Sequence, residues 1–346
     1  MKIKFLSLII ALFYPLIINA QQNNSIKWLT FEEAEKLDSA EHRPFLIDVY
    51  TDWCGWCKRM SATTFANPNI ANYINKNFYP IKFDAETSDT IIYGGKEYIN
   101  EGKANNLAIK LLNGRLSYPT IVYIDRDSNV APIPGYMEPK DIEPLLVYFA
   151  EDVSRNASLE KFSTDFMYSF ADNYKDEISK IKEEEKHDTT GKIEWLNFDE
   201  AFEKYDKNPK PLLLNVWIDF IPEGVTNSIS GNIFERSVLK DSTITNYINK
   251  NFYPIKFYAA SQDTIKAFGG SFVGSGIGMP HQLTGALMGN NFIFPSMFFF
   301  NNKKEFLTRL NGYFQSNVYE IILKFYAEEA YKTQSFQDYY LKNNKK

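Results

Sequence analysis

The chain is short of cysteine. Only Cys54 and Cys57 stand among 346 residues, and histidine is nearly as scarce, at three. A small secreted scaffold held by disulfides spreads its cysteines in distant pairs, so that class is excluded. A structural zinc centre takes about four ligands, and His42, His187 and His281 lie at no ligand-like spacing to the cysteines. There is no basic excess either. The formal charge is −5, which gives no reason to expect nucleic acid as a partner. No long apolar run follows the first twenty residues, so no membrane span is expected in the mature chain. The glycine-rich run Gly269 to Gly278 carries no phosphate-binding pattern and reads as a loop. What is present is a hydrophobic content of 44%, enough for more than one core.

Residues 1–20 read as a secretory signal peptide. Lys2 and Lys4 give the positive start, Phe5 to Ile18 is nearly all apolar, and Ala20 precedes Gln21-Gln22. Removing the two lysines takes the formal charge from −5 to −7. The expected location is periplasmic or secreted, with a soluble mature protein.

The two cysteines form one motif, Asp52-Trp53-Cys54-Gly55-Trp56-Cys57-Lys58, directly after the apolar run Phe45 to Tyr50. The run reads as a buried strand and the residues after Cys57 as a helix. A Cys-x-x-Cys at such a junction is a redox motif with a mechanism. Cys54 would sit at the helix N-terminus, where unpaired N–H groups and the dipole favour a thiolate. Cys57, one turn on, can close back onto it. Two bland readings compete: a zinc ligand pair, which lacks its other ligands, and a structural disulfide, whose short loop removes little chain entropy.

These residues resemble the thioredoxin superfamily. Asp48 stands six residues before Cys54, where that family carries a buried acid. Ser117-Tyr118-Pro119-Thr120 resembles the cis-proline turn that faces the dithiol, and Gly135 matches a family glycine. The variant Trp-Cys-Gly-Trp-Cys-Lys is similar to the secreted branch. The resemblance implies an α/β fold with a central mixed sheet flanked by helices. It implies Cys54 as nucleophile, Cys57 as resolving thiol and Asp48 as the group that moves the Cys57 proton, with Lys82 tuning the acid. Tyr118 and Pro119 would present backbone to a substrate chain. Trp53, Gly55 and Trp56 would complete the substrate contact, Trp53 packed against the domain and Trp56 exposed. No cofactor beyond the redox-active Cys54–Cys57 pair, and no metal, is expected.

Asn72 to Phe83 recurs unchanged as Asn246 to Phe257. Ile26 to Ala34 matches Ile193 to Ala201, Tyr118-Pro119 matches Phe294-Pro295, and Gly135-Tyr136 matches Gly312-Tyr313. The period is too long for a solenoid, so two tandem domains are expected. The redox-active one spans 21–165, a helical linker 166–192, and a degenerate copy 193–346. Helices are expected over Phe31 to Leu37, from Cys54 onward and over Asn69 to Asn77. A Gly-Gly hairpin is expected over Ile91 to Ile99, close to the active-site rim. Aligned from Pro44 on Pro211 without a gap, Cys54 to Cys57 fall on Ile221 to Gly224 and Asp48 on Asn215. The second copy has therefore lost the chemistry. The groove beside Pro295, with Phe292, Phe294, Phe298, Phe299 and Phe300 around it, could still receive an extended peptide.

The expected function is an extracytoplasmic thiol–disulfide oxidoreductase acting on protein thiols and disulfides, served by a membrane or periplasmic redox partner. The alternative is a chaperone-like or peptide-binding module with auxiliary redox activity. Nothing in the residues sets the direction of electron flow.

Overall fold

Strand β1 (Phe45–Tyr50) is apolar along nearly its whole length because it is covered on both faces and paired on both edges. In the computed structural model, which describes residues 25–180, 190–219, 225–276 and 278–344, it lies at the centre of a four-stranded sheet. The signal expected over 1–20 and part of the expected linker, 181–189, fall outside the described residues. Helix α1 (Phe31–Asp38) precedes β1 and opens with a capping box between Thr30 and Glu33. After it come α2 (Gly55–Thr63), α3 (Pro68–Asn77) and β2 (Tyr79–Asp84). Asn67 caps α3, and Pro68 at its first turn supplies a preset φ. The hairpin β3 (Ile91–Tyr93) and β4 (Lys96–Tyr98) is followed by α4 (Asn106–Leu111), β5 (Thr120–Ile124), β6 (Val130–Pro134) and α5 (Pro139–Ala150). The strand order is β2-β1-β5-β6, with β1–β2 parallel and the other pairs antiparallel.

Helices α6 (Leu159–Ser169) and α7 (Lys175–Ile178) lead into the second half, and α6 runs across the boundary expected at 165. Then come α8 (Phe198–Lys207), β7 (Leu212–Trp217), β8 (Thr226–Asn227), α9 (Ile229–Arg236), α10 (Ser242–Asn251) and β9 (Tyr253–Tyr258). The hairpin β10 (Ile265–Ala267) and β11 (Gly270–Phe272) precedes α11 (Gln282–Met288), β12 (Ile293–Phe294), β13 (Ser296–Phe300) and β14 (Phe306–Asn311). The chain closes with α12 (Ser316–Ala327) and α13 (Phe336–Asn343). The second sheet has the order β9-β7-β13-β14, the same as the first, with β7–β9 parallel. This is the mixed α/β architecture the sequence implies, built twice.

Each sheet buries one face under its own first helix. Phe31, Ala34, Ile47 and Val49 meet there in the first half, and Phe198, Ala201, Leu214 and Val216 in the second. The other faces belong to one continuous apolar cluster that joins the halves. Phe162 and Phe166 of α6 lie in it beside Tyr148 of α5 and Phe234 and Tyr313 of the second half. Phe162 is fully buried, and its ring meets that of Tyr313 edge-on at 5.2 Å. Truncating it to Ala removes a side chain that both halves touch. We expect Phe162→Ala to lower unfolding free energy by about 3–5 kcal/mol, read from urea denaturation. A loss under about 1 kcal/mol would show that this aromatic seam carries little of the packing.

Candidate active site

The chain leaves β1 through a turn in which the Cys54 N–H donates to the Thr51 carbonyl at 3.1 Å. Cys54 is then the N-cap of α2, with extended backbone, and its sulfur accepts the Cys57 N–H at 3.1 Å. Cys54 and Cys57 form a disulfide. The arrangement follows from helix geometry: the first-turn N–H groups have no carbonyl of their own to meet, so the N-cap atom meets one. Both cysteines are nearly buried, at 4% exposure each. Gly55 opens the helix between them and faces open space.

Trp53 and Trp56 stand on either side. Trp53 does not pack inward as expected, being 66% exposed against 55% for Trp56. The turn after Thr51 throws it outward, and its indole N–H donates to Glu86 Oε2 at 2.9 Å. Its ring meets the edge of Tyr118 at 6.0 Å. Trp56 lies over Tyr136 at 5.3 Å, and the Arg59 guanidinium sits 5.2 Å from both ring centres, a partly exposed cation–π arrangement. Arg59, Tyr136 and Glu86 thus belong to the rim, although sequence reasoning assigned them no role. The available signal was the three-residue spacing of Trp56 and Arg59, which places them on one helix face.

Pro119 follows a cis peptide bond, as does Pro295, and its carbonyl accepts the Gly135 N–H at 2.8 Å. Tyr118, just before it, is half-buried, with no described residue bonded to its carbonyl. The β3–β4 hairpin lies elsewhere than expected. Its turn is pinned to α1, where Gly94 N–H donates to Glu35 Oε1 at 2.8 Å and Tyr93 packs on Phe31. Only the chain just after it reaches the rim, where Asn100 Nδ2 donates to the Glu86 carbonyl at 3.1 Å.

Asp48 lies on β1, 2% exposed, opposite Lys82 in the β2 register. Burial pushes its carboxyl up to about 6, with Lys82 pulling in the other direction. The Lys82 ammonium lies over the Tyr50 ring at 5.1 Å and reaches Ser61 Oγ at 3.5 Å. Lys82, Ser61 and Cys57 line one solvent-facing depression. Among the described residues no group of three or more His, Cys, Asp or Glu converges as metal ligands would.

The second half corrects the ungapped alignment. Ser228, not Ile221, is the N-cap of the corresponding helix, and its hydroxyl accepts the Gly231 N–H at 3.0 Å. Thirteen residues separate Asn215 from Ser228, where six separate Asp48 from Cys54. Seven extra residues therefore follow β7, and Ser228 and Gly231 stand where Cys54 and Cys57 stand in the first half. Residues 220–224, which include the expected counterpart Ile221 to Gly224, lie outside the described residues. Asn215 does occupy the Asp48 position, opposite Lys256. Its amide donates to Glu235, whose carboxylate is 3.8 Å from the Lys256 ammonium. The phenylalanines near Pro295 are core: Phe294, Phe298, Phe299 and Phe300 are at most 3% exposed. The groove itself is filled. Thr226 N–H donates to the Phe292 carbonyl and Ser228 N–H to the Phe294 carbonyl, both at 2.8 Å, so β8 pairs with β12 where an extended peptide was expected.

Residues 31–150 match the family model described as Thioredoxin-like domain. An uncharacterized protein of Archaeoglobus fulgidus is 27% identical over 71 residues, which are 20% of this chain and 56% of that protein. This chain thus spans little more than half of that relative's length. Among solved structures, a thioredoxin from Thermus thermophilus is 17% identical, covering 38% of this chain and 88% of its own, with a TM-score of 0.29. The C-terminal domain of Neisseria meningitidis DsbD in its reduced form is 20% identical, covering 35% and 91%, with a TM-score of 0.24. The family match runs from α1 to α5 and contains Cys54 and Cys57. The first half therefore holds a thioredoxin-like domain with a Cys-x-x-Cys disulfide, the equipment of a thiol–disulfide oxidoreductase.

Proposed function

We propose that the protein is an extracytoplasmic oxidoreductase that exchanges disulfides with protein substrates through Cys54 and Cys57. The observation that carries this is the pairing of those two sulfurs across the N-terminus of α2, beside a backbone edge at Tyr118 and two exposed indoles. In the reducing direction the Cys54 thiolate attacks a substrate disulfide and releases one substrate thiolate. Cys57 then attacks the Cys54 sulfur, closes the internal disulfide and releases the second. Two electrons pass to the substrate. Asp48 takes the Cys57 proton as that thiol becomes a nucleophile. The oxidising direction is the reverse sequence. Trp53, Gly55 and Trp56 frame the approach, while Tyr118 and Pro119 offer the substrate chain a backbone edge.

The signal expected at residues 1–20 supports an extracytoplasmic site of action. A protein working there as a reductant needs a membrane or periplasmic electron donor, and as an oxidant a reoxidant. The second half is a degenerate copy without redox chemistry. Its closed groove disfavours the chaperone-like alternative, which needed that groove for clients.

Cys54→Ser is expected to abolish turnover of a protein disulfide substrate, and Cys57→Ser to accumulate mixed disulfides that non-reducing electrophoresis displays. Full turnover by Cys54→Ser would overturn the mechanism.

Asp48 generates a second prediction. Its folded-state value of about 6 lies above the ordinary 3.8, so the folded protein holds the proton more tightly than the unfolded chain. Stability therefore falls as pH rises from about 4 to about 6 and is flat above. Asp48→Asn removes that loss: near pH 3.5 it changes little, and at pH 8 it stabilises by up to about 3 kcal/mol. The same variant is expected to slow exchange and to lose the rate increase near pH 6. Denaturation and exchange rates measured across pH 3.5–8 test both, and parallel profiles for variant and parent would remove Asp48 from its role.

A further inference from the structure

The face that carries the dithiol in the first half is buried in the second. Ser230 and Tyr313 are 0% and 1% exposed. They hold the positions of Trp56 and Tyr136, and the tryptophan stands 55% exposed. What covers the second face is the first half itself. Glu151, at the C-terminal end of α5, sends its carboxylate onto the start of α9. Oε1 accepts the Ile229 N–H at 2.9 Å. Oε2 accepts the Ser230 N–H at 3.0 Å, the Ser230 hydroxyl at 2.6 Å and the Ser228 hydroxyl at 2.8 Å. Helix α6 lies alongside: Asp165 accepts the Tyr313 hydroxyl, and Arg236 donates to the Ser169 carbonyl at 3.3 Å.

We infer that the former exchange face of the second half is a carboxylate-receiving docking site, that its occupant is Glu151 of the first half, and that this contact sets where the first half sits on that face. Two features select that occupant. The first-turn N–H groups of α9 and the positive end of its dipole favour an anion. Two hydroxyls stand where the first half has a cysteine and an indole, and they give the anion further donors. Close approach to Pro295 is possible because residue 231 is glycine: a Cβ there would lie 3.1 Å from the proline ring. A carboxylate with four donors in a mostly buried contact makes charge-assisted bonds that a neutral amide cannot reproduce. The β8–β12 pairing closes the groove from the other side. The second half thus receives a partner on the surface that a redox-active copy would turn toward substrates, and the partner is its own neighbour in the chain. This inference is independent of the redox reading.

The test uses the full-length protein and amide hydrogen exchange at residues 229 and 230. An open helix start leaves its first amides unprotected, so in the unmodified protein these two are expected to exchange at least about a hundredfold more slowly than an unstructured chain. Glu151→Gln is expected to speed both by about tenfold or more. Unprotected amides in the unmodified protein would overturn the inference, with no dependence on how the variant folds. Exchange within twofold of the parent in a folded Glu151→Gln protein would equally overturn it.

Discussion

A helix that starts at the end of a central strand begins with amide groups that none of its own carbonyls can reach. Each half of this chain places such a start after the corresponding central strand of its own sheet, and the structure turns on what meets it. At α2 the atom is sulfur, the side chain of the N-cap itself, tied to the sulfur one turn along. At α9 it is a serine hydroxyl together with a carboxylate from 77 residues away. In the first case the helix start lies between two exposed indoles. In the second it becomes an anchor and is covered.

The strands behind the two helices show the same trade. Each half keeps a lysine on the second strand, Lys82 or Lys256, opposite position 48 or its counterpart. In the first half the acid sits on the strand, buried, with its proton held more firmly than usual. In the second the strand carries an amide, and the acid has moved to the helix as Glu235, near the lysine and bonded to that amide. A buried carboxylate that serves no proton transfer is a cost without return, and moving it outward lowers that cost.

Much of this was legible in the residues. Phe45 to Tyr50 reads as a buried strand because a run apolar at every position but Asp48, with both faces covered, has no regular polar alternation to mislead. Cys54 read as a helix start, and the hairpin about Gly94-Gly95 followed from its turn residues. The second helix start was misplaced because the repeat keeps one spacing up to β7 and another from Ser228 on, and an ungapped reading cannot sense a loop grown between them. Trp53 was read as packed because an indole beside a buried motif usually is; its orientation depends on Glu86, a partner 33 residues away. Glu151 left no local mark at all. A glutamate ending a helix looks like any solvated one until the chain has folded far enough to bring α9 to it.

The covered face of the second half bears on valency. Two copies of one fold in a chain invite the picture of a clamp gripping a substrate at two points, with the second contact strengthened by the effective concentration that a tether provides. Here one such face is open and the other is covered by the first half, so among the described residues a clamp of two such faces is not formed. On the proposed function a substrate would meet a single face, and its residence time would rest on that one contact and on the covalent exchange itself.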